Sequence, residues 1–197
     1  MHLNPYGEYA VLLAINLCRD RPTSGAELQI RCEQAGLTVD RAGTENDVRN
    51  IAEFLDRWLK VVDAQTDQAR ADALNILLDA TSAHPRLTDH AGDGWHLHYR
   101  RMGLTVSEQA SALISVGTAL HLVGRGMHRL GRCALPECRR PFADVTRNGR
   151  QRYCSHPCAN RDAVRRHRAK APAAWRWTDP PAAGAPAVNG TNNRVRV

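Results

Sequence analysis

Four of the six cysteines lie close together near the C-terminal end of the chain, and this clustering constrains the fold more than any other feature. They are Cys133, Cys138, Cys154 and Cys158, whereas Cys18 and Cys32 stand alone far upstream. The first residues lack the basic and hydrophobic segments of a secretion signal, and reduced cytosolic cysteines that cluster are more often metal ligands than disulfides. Four thiolates suit tetrahedral zinc and leave no ligand position for water. The cluster therefore predicts one structural Zn²⁺ and argues against catalytic zinc.

The first two thirds of the chain have the apolar periodicity of amphipathic helices. Thr44 and Asp47 form a capping pattern before a helix that is predicted from about Glu45 to Ala64, where apolar residues recur every three or four positions. Thr105 and Glu108 form a capping box at the start of another helix. These stripes are interpreted as core positions and not as cofactor sites.

A change of period marks a hairpin within this helical region. Alternating apolar residues around a glycine-rich turn predict a β-hairpin near 86–99. His90, His96 and His98 lie there without a cysteine or carboxylate at ligand spacing, so we expect solvated side chains and not a second metal site. The predicted fold class is mainly α with a small β-hairpin (α+β), and residues 1–130 are predicted to be a sensing or oligomerisation domain.

The positive charge belongs to one end of the chain. Residues 1–131 carry 13 Arg and Lys against 16 Asp and Glu, whereas residues 132–197 carry 14 against 4, so the net charge of +7 arises from the C-terminal part. Beyond Lys170 the chain is rich in Ala and Pro and has no periodicity. This composition predicts a disordered tail over 171–197.

Residues 131–170 are predicted to form a four-cysteine zinc domain in which a turn, a hairpin and a helix follow one another. Asn148-Gly149 is a favoured hairpin turn, because both residue types tolerate positive φ. Ser155 is a candidate cap and Pro157 suits the first turn of a helix that ends near Lys170. This order of elements is the treble-clef arrangement, in which the knuckle and the helix each supply one pair of ligands.

This segment is strongly cationic even after the metal is counted. Between residues 132 and 170 there are 11 basic and 3 acidic residues, and one zinc with four thiolates contributes −2, which leaves about +6. A polyanion is the simplest partner for such a surface. If four to six side chains neutralise phosphates, log K for binding should fall with log salt at a slope of roughly −4 to −5.

The stretch from Cys133 to Arg161 resembles the CGNR zinc finger. The residues that carry the resemblance are Phe142-Ala143-Asp144, Arg147-Asn148-Gly149-Arg150, Arg152-Tyr153-Cys154-Ser155 and Cys158-Ala159-Asn160-Arg161. Ala159 stands where glycine is usual in that family. The helical region is similar to the domain that precedes CGNR fingers in stress-induced bacterial transcription regulators. The resemblance implies zinc at the four cysteines and DNA binding by the finger in a regulatory role.

The candidate nucleic-acid contacts combine the basic residues of this segment with the two polar residues that follow the last cysteine. They are Arg147, Arg150, Arg152, Asn160, Arg161, Arg165, Arg166, Arg168 and Lys170. Arg161 is a candidate for contact with phosphate or base. Asn160 either contacts nucleic acid or braces the hairpin through backbone hydrogen bonds.

Other functions compete with DNA binding. RNA binding and protein docking suit a cationic zinc module equally well. A metal-dependent nuclease would have to use Asp144 and Asp162, and no histidine lies between Cys138 and Cys154 to assist it. We therefore expect a DNA-binding regulator and not an enzyme. We also expect it to be cytoplasmic, to have no membrane partner, and to form a homodimer, if any, through the helical domain.

Overall fold

The structure is a computed structural model that describes residues 7–39, 41–89 and 94–170. The tail that was predicted at 171–197 and His90 lie outside these residues. Within the described ranges the chain forms six α-helices and two antiparallel two-stranded sheets. The prediction of a mainly α fold with little β-structure is confirmed, although the structure has two hairpins.

The elements follow the chain as five helices with an inserted hairpin, a second hairpin and a last helix. The helices are α1 (Glu8–Arg19), α2 (Gly25–Gln34), α3 (Glu45–Asp63), α4 (Asp67–Thr81), α5 (Val106–Arg125) and α6 (His156–Lys170). The strands are β1 (Arg86–Thr88), β2 (His96–His98), β3 (Leu130–Arg132) and β4 (Pro141–Ala143), and a 3-10 turn (Met127–Arg129) precedes β3. No helix among the described residues is long and apolar enough to cross a lipid bilayer.

Helix α5 lies at the centre of the helical region and is buried over most of its length. It packs against α1, α3 and α4. A Cβ atom on Gly117 would lie 2.2 Å from the Cβ of Ala10, so only glycine allows α1 to approach α5 this closely. The largest fully buried side chains of this core include Leu17, Leu28, Phe54, Trp58 and Ile114.

The predicted helix caps are present, and one of them also joins two helices. Thr44 and Asp47 form a reciprocal capping box at α3, and Thr105 and Glu108 form another at α5. The second oxygen of Asp47 accepts hydrogen bonds from the backbone N–H and the hydroxyl of Ser107, at 2.9 and 2.8 Å. The N-termini of α3 and α5 are therefore held together by one buried carboxylate.

The hairpin that was predicted near 86–99 consists of β1 and β2. Leu87 pairs with Leu97 in its register, and both side chains are exposed, as is Trp95. His98 is half-buried. The cysteine quartet is the single group of potential ligands with metal-binding geometry in the described ranges, and it contains no histidine.

The second hairpin, β3 with β4, packs directly on the helical region. Leu130 and Ala143 from its two strands belong to the same buried apolar core as the helices. Arg132 forms a two-point ion pair with Asp63 at the end of α3, at 2.7 and 2.8 Å. The boundary that was predicted between residues 130 and 131 falls inside β3, because the hairpin buries one face in the helical core.

Two further arginines fix the start of the C-terminal module. Arg125 at the end of α5 donates to the carbonyl oxygen of Val145 at 3.0 Å. Arg129 donates to the carbonyl oxygen of Thr146 at 2.6 Å and lies 3.5 Å from the carboxylate of Asp144. Side-chain donors from the helical region thus hold the loop that follows β4.

Candidate metal centre and nucleic-acid interface

The first two cysteines lie on a tight knuckle between β3 and β4. Cys133 follows β3 directly, and its backbone N–H donates to the carbonyl oxygen of Arg140 at 2.8 Å. The N–H of Cys138 donates back to Leu135 at 2.9 Å, and Leu135 is fully buried beneath the turn. Arg139 adopts a left-handed conformation, with φ of +50°, and closes the knuckle.

The second two cysteines lie at the start of α6, as their spacing predicts. Cys154 precedes the helix, and Cys158 lies in its first turn. The Ser155 hydroxyl accepts from the N–H of Cys158 at 3.4 Å, so Ser155 caps the helix. The N–H of Ala134 donates to the carbonyl oxygen of Arg152 at 2.8 Å and draws the knuckle toward this segment.

The four Sγ atoms form a compact cluster that fits one zinc ion. All lie within 4.8 Å of one another; Cys138 and Cys154 are 3.6 Å apart, and Cys154 and Cys158 are 3.8 Å apart. A tetrahedron with Zn–S bonds of about 2.3 Å separates its sulfurs by about 3.8 Å. All four thiols are free of disulfide bonds. The predicted set of ligands therefore fits one structural zinc.

The acid–base properties of the thiols explain why a cation belongs here. Burial, followed by hydrogen bonds to the neighbouring thiols, raises the pKa of Cys154 to about 12, whereas the adjacent Ser155 hydroxyl lowers the pKa of Cys158 to about 7. Four thiolates at this distance repel one another strongly, and a positive ion between them removes that repulsion. Zinc would hold all four deprotonated and draw the knuckle and α6 together.

The expectation of a hairpin around Asn148-Gly149 is corrected by the structure. These residues form a turn, and Gly149 has a φ of +65°, but the strands of the module are β3 and β4, which flank the knuckle. A Cβ on Gly149 would lie 2.6 Å from the guanidinium carbon of Arg129. The reason for the difference is burial, because Leu130 and Ala143 enter the helical core whereas the residues beside Gly149 are mostly exposed.

Asp144 organises the loop that contains this turn. Its carboxylate accepts from the N–H and hydroxyl of Thr146, at 2.9 and 2.5 Å, and from the N–H of Gln151 at 2.9 Å. Burial acts to raise the pKa of Asp144, but these hydrogen bonds outweigh it and hold the pKa below its usual value. Both oxygens of this buried carboxylate are therefore engaged in maintaining the loop.

Asp162 plays a similar part on α6, and sequence reasoning missed it as a structural hub. Tyr153 donates its hydroxyl to Asp162 at 2.5 Å, Arg166 donates at 2.9 Å, and Arg165 also pairs with this carboxylate. The hydrogen bond from Tyr153, with the two guanidinium groups, lowers the pKa of Asp162. The spacing of Asp162 to Arg165 and Arg166 indicates helical ion pairs. No local pattern indicates that Tyr153 would donate a hydrogen bond to Asp162.

All nine candidate nucleic-acid contacts are exposed. Arg165 and Arg166 share Asp162, and Arg152 lies over the Tyr153 ring at 5.9 Å. The candidates whose side chains form neither an ion pair nor a hydrogen bond in the described part of the chain are Arg147, Arg150, Arg152, Asn160, Arg161, Arg168 and Lys170. The Asn160 side chain thus does not brace the hairpin through hydrogen bonds, which was one of its two predicted roles.

Helix α6 stands free of the rest of the described chain over its second half. Every residue from Ala163 to Lys170 is exposed, whereas Cys158 and Asp162 are its buried positions. Asn160, Arg161, Val164 and Arg168 line a shallow groove beside the knuckle, together with Arg165, Pro157 and Glu137. The helix therefore presents a mixed polar, cationic and aliphatic face to solvent.

Comparison with known proteins agrees with this geometry. No curated protein matched the chain. Residues 129–171 match the family model of the CGNR zinc finger, and the helical region before them lies outside that match. This segment, which holds the four cysteines and α6, is therefore similar to CGNR zinc fingers, as its residues predicted.

Proposed function

We propose that this protein is a DNA-binding transcription regulator whose zinc finger binds duplex DNA through α6. The observation that carries the proposal is the free cationic helix, because all eight residues from 163 to 170 are exposed and three arginines and a lysine lie among them. A helical segment that is exposed all round, as residues 163–170 are, gains no stability from packing on its own domain. Binding of a polyanion would explain why this cationic part of α6 is left exposed.

The dimensions of the helix favour duplex DNA. An α-helix with side chains is about 10–12 Å across, and the major groove of B-DNA is about 12 Å wide. Arg161 and Arg168 on the solvent face suit guanine or phosphate, Asn160 suits adenine, and Val164 suits the thymine methyl group. The remaining cations of the loop, from Arg147 to Arg152, suit the flanking phosphates.

RNA is less well matched to the described surface. Duplex RNA has a deep, narrow major groove, and proteins that read single-stranded RNA usually stack bases on exposed aromatic side chains. Of Phe, Tyr and Trp, residues 129–170 contain Phe142, which is buried, and Tyr153, whose hydroxyl is bound to Asp162, so the exposed rings there are the smaller imidazoles of His156 and His167. These features support DNA over RNA as the polymer bound.

A nuclease has no comparable support. The carboxylates that such an enzyme would use, Asp144 and Asp162, are buried and bonded to their own module. The proposed role is therefore binding without catalysis. It implies a cytoplasmic location and is compatible with a homodimer formed through the helical region, which light scattering on the purified protein tests.

Fluorescence anisotropy with matched duplex DNA and structured RNA probes tests the proposal. The variant R161Q/R168Q/K170Q removes three cations from α6, and R19Q/R49Q/K60Q removes three exposed cations from the helical region. We expect the first variant to lose at least about tenfold in DNA affinity and the second to bind like the parent. Equal losses in both variants would show that net charge, and not α6, drives binding. Tighter binding to RNA at equal salt would overturn the assignment to DNA.

A further inference from the structure

A row of hydroxyl groups follows the buried face of α5 that meets α3 and α4. The row consists of Ser107, Ser111, Ser115 and Thr118. Three of the four are hydrogen-bonded to side chains of the neighbouring helices. The pairs are Ser107 with Asp47 at 2.8 Å, Ser115 with Thr81 at 2.9 Å and Thr118 with Trp58 at 3.0 Å. Buried hydroxyls are expected to have such partners.

Ser111 is the exception in this row. Its residue is only 7% exposed, yet its hydroxyl bonds to no group in the described ranges. It opens into a groove of about 360 Å³ between α3, the end of α4 and the start of α5. The neighbouring Phe54, also on the groove, is 1% exposed and supplies an apolar surface. The groove therefore has a hydroxyl and an aromatic ring in its deeper part.

Four charged side chains of both signs surround this groove without pairing, and a fifth, Glu108, accepts a hydrogen bond from the Thr105 N–H in the α5 capping box. Glu53 and Arg57 lie one turn apart on α3, Asp79 lies at the end of α4, and Arg101 lies in the segment before α5. None of these four side chains makes an ion pair or a hydrogen bond with any other part of the described chain. Residues one turn apart on a helix commonly pair when their charges are opposite. Here Glu53 and Arg57 instead both border the groove.

The backbone strengthens the cation-binding side of the groove. Asp79 and Ala80 belong to the last turn of α4, and the C-terminal end of a helix carries a partial negative charge. The N–H of Ala83, two residues after this helix ends, donates to the carbonyl oxygen of Tyr99 at 2.7 Å. A positively charged group is thus favoured near Asp79, and a negatively charged group is favoured near the two arginines.

We propose that this groove binds a small zwitterion of the free amino-acid type. The ligand carboxylate would contact Arg57 and Arg101, its ammonium group would contact Glu53 and Asp79, and the Ser111 hydroxyl would complete the polar contacts. A volume of about 360 Å³ lies at the lower end of small-molecule sites and suits a ligand of this size. The site is separate from the zinc module, so this proposal does not depend on DNA binding.

Isothermal titration calorimetry and thermal unfolding of the zinc-loaded full chain with a panel of L-amino acids test the proposal. At least one amino acid should bind and raise the melting temperature. The matched monofunctional probes are the same side chain with the carboxylate or the amine alone, and they should bind at least about tenfold more weakly, because each lacks one charged contact.

Variants assign the binding to this groove. S111A and R57Q should each weaken binding by about tenfold or more, whereas R19Q, an exposed change on α1 away from the groove, should not change it. Circular dichroism and melting temperature without ligand establish that each variant is folded. Absence of binding by every amino acid would overturn the proposal. Unchanged affinity in folded S111A and R57Q would also overturn it.

Discussion

Zinc removal is predicted to unfold the C-terminal module and to leave the helical region folded. The apolar cluster beneath the metal site is small: apart from the cysteines it contains Leu135, which is fully buried, and Tyr153, which is half-buried. Burial of one leucine side chain contributes about 1.5–3 kcal/mol to folding, whereas a structural zinc contributes about 10–16 kcal/mol of apparent binding free energy. The module therefore depends on the metal.

The helical region should respond differently, because its core is built mainly from its own helices. Leu130 and Ala143 are the buried residues that the β3–β4 hairpin adds to that core. Their release would loosen the end of α5 without exposing Phe54 or Trp58. We therefore expect melting of one region and retention of the other, and not a single cooperative transition.

Hydrogen exchange read by mass spectrometry, with a zinc chelator and with C138S, measures this directly. Amides of residues 133–160 should lose protection, while those of α3 and α5 should keep most of theirs. C18S is the matched control, because Cys18 is also half-buried but lies outside the cluster. Full protection of 133–160 after elemental analysis shows that zinc is gone would refute the reasoning.

Three further predictions follow from individual side chains. R168Q should make the slope of log K against log salt shallower by about 0.9 in DNA titrations, whereas R49Q should not change it. D47N should lower the free energy of unfolding by about 2–4 kcal/mol at neutral pH, because four hydrogen bonds reach the Asp47 carboxylate. Burial acts to raise the pKa of Asp47, but those bonds outweigh it and hold the folded pKa well below the unfolded one. The greater stability of the parent protein over D47N is therefore fully present above the pKa of Asp47 in the unfolded chain, and it is lost as the pH falls toward the pKa in the folded protein. Urea titrations at several pH values measure this difference. R139G should raise the melting temperature slightly. Glycine adopts this left-handed φ without the steric cost of about 1–2 kcal/mol that a side chain brings, whereas the greater flexibility of glycine in the unfolded chain costs about 0.5–1 kcal/mol.

Each of these predictions has a result that contradicts it. A slope that is the same in R168Q and the parent would place that side chain away from phosphates. A stability difference for D47N that does not change between neutral and acidic pH would show that the carboxylate's charge is not what matters. A lower melting temperature for zinc-loaded R139G would mean that the Arg139 side chain, and not its φ, dominates at the knuckle.

Local patterns allowed much of the structure to be predicted. The capping boxes of Thr44 and Thr105 were confirmed, because a cap forms between residues three positions apart and needs no distant partner. The ligand set was equally readable, since two close pairs of cysteines can meet on one ion whatever surrounds them. The hairpin in the helical region was confirmed for the same reason of short sequence separation.

Features that join distant parts of the chain were not predicted. Asn148-Gly149 has the residues of a hairpin turn, yet the strands formed around the knuckle, where Leu130 and Ala143 could enter a core made by other helices. The pairing of Asp47 with Ser107 spans 60 residues. No pattern in either local sequence indicates that contact.

The sequence by itself determined which residues gather on one metal ion, where the helices begin, and which end of the molecule is cationic, because spacing and charge along the chain suffice for these. The packing of α5 among its neighbours decided the rest. Within the ranges that the structure describes, it left the hydroxyl of Ser111 without a partner beside four unpaired charges, and it held the hairpin so that the second half of α6 faces solvent. Such features depend on which surfaces are buried against each other, and burial is a property of the folded chain.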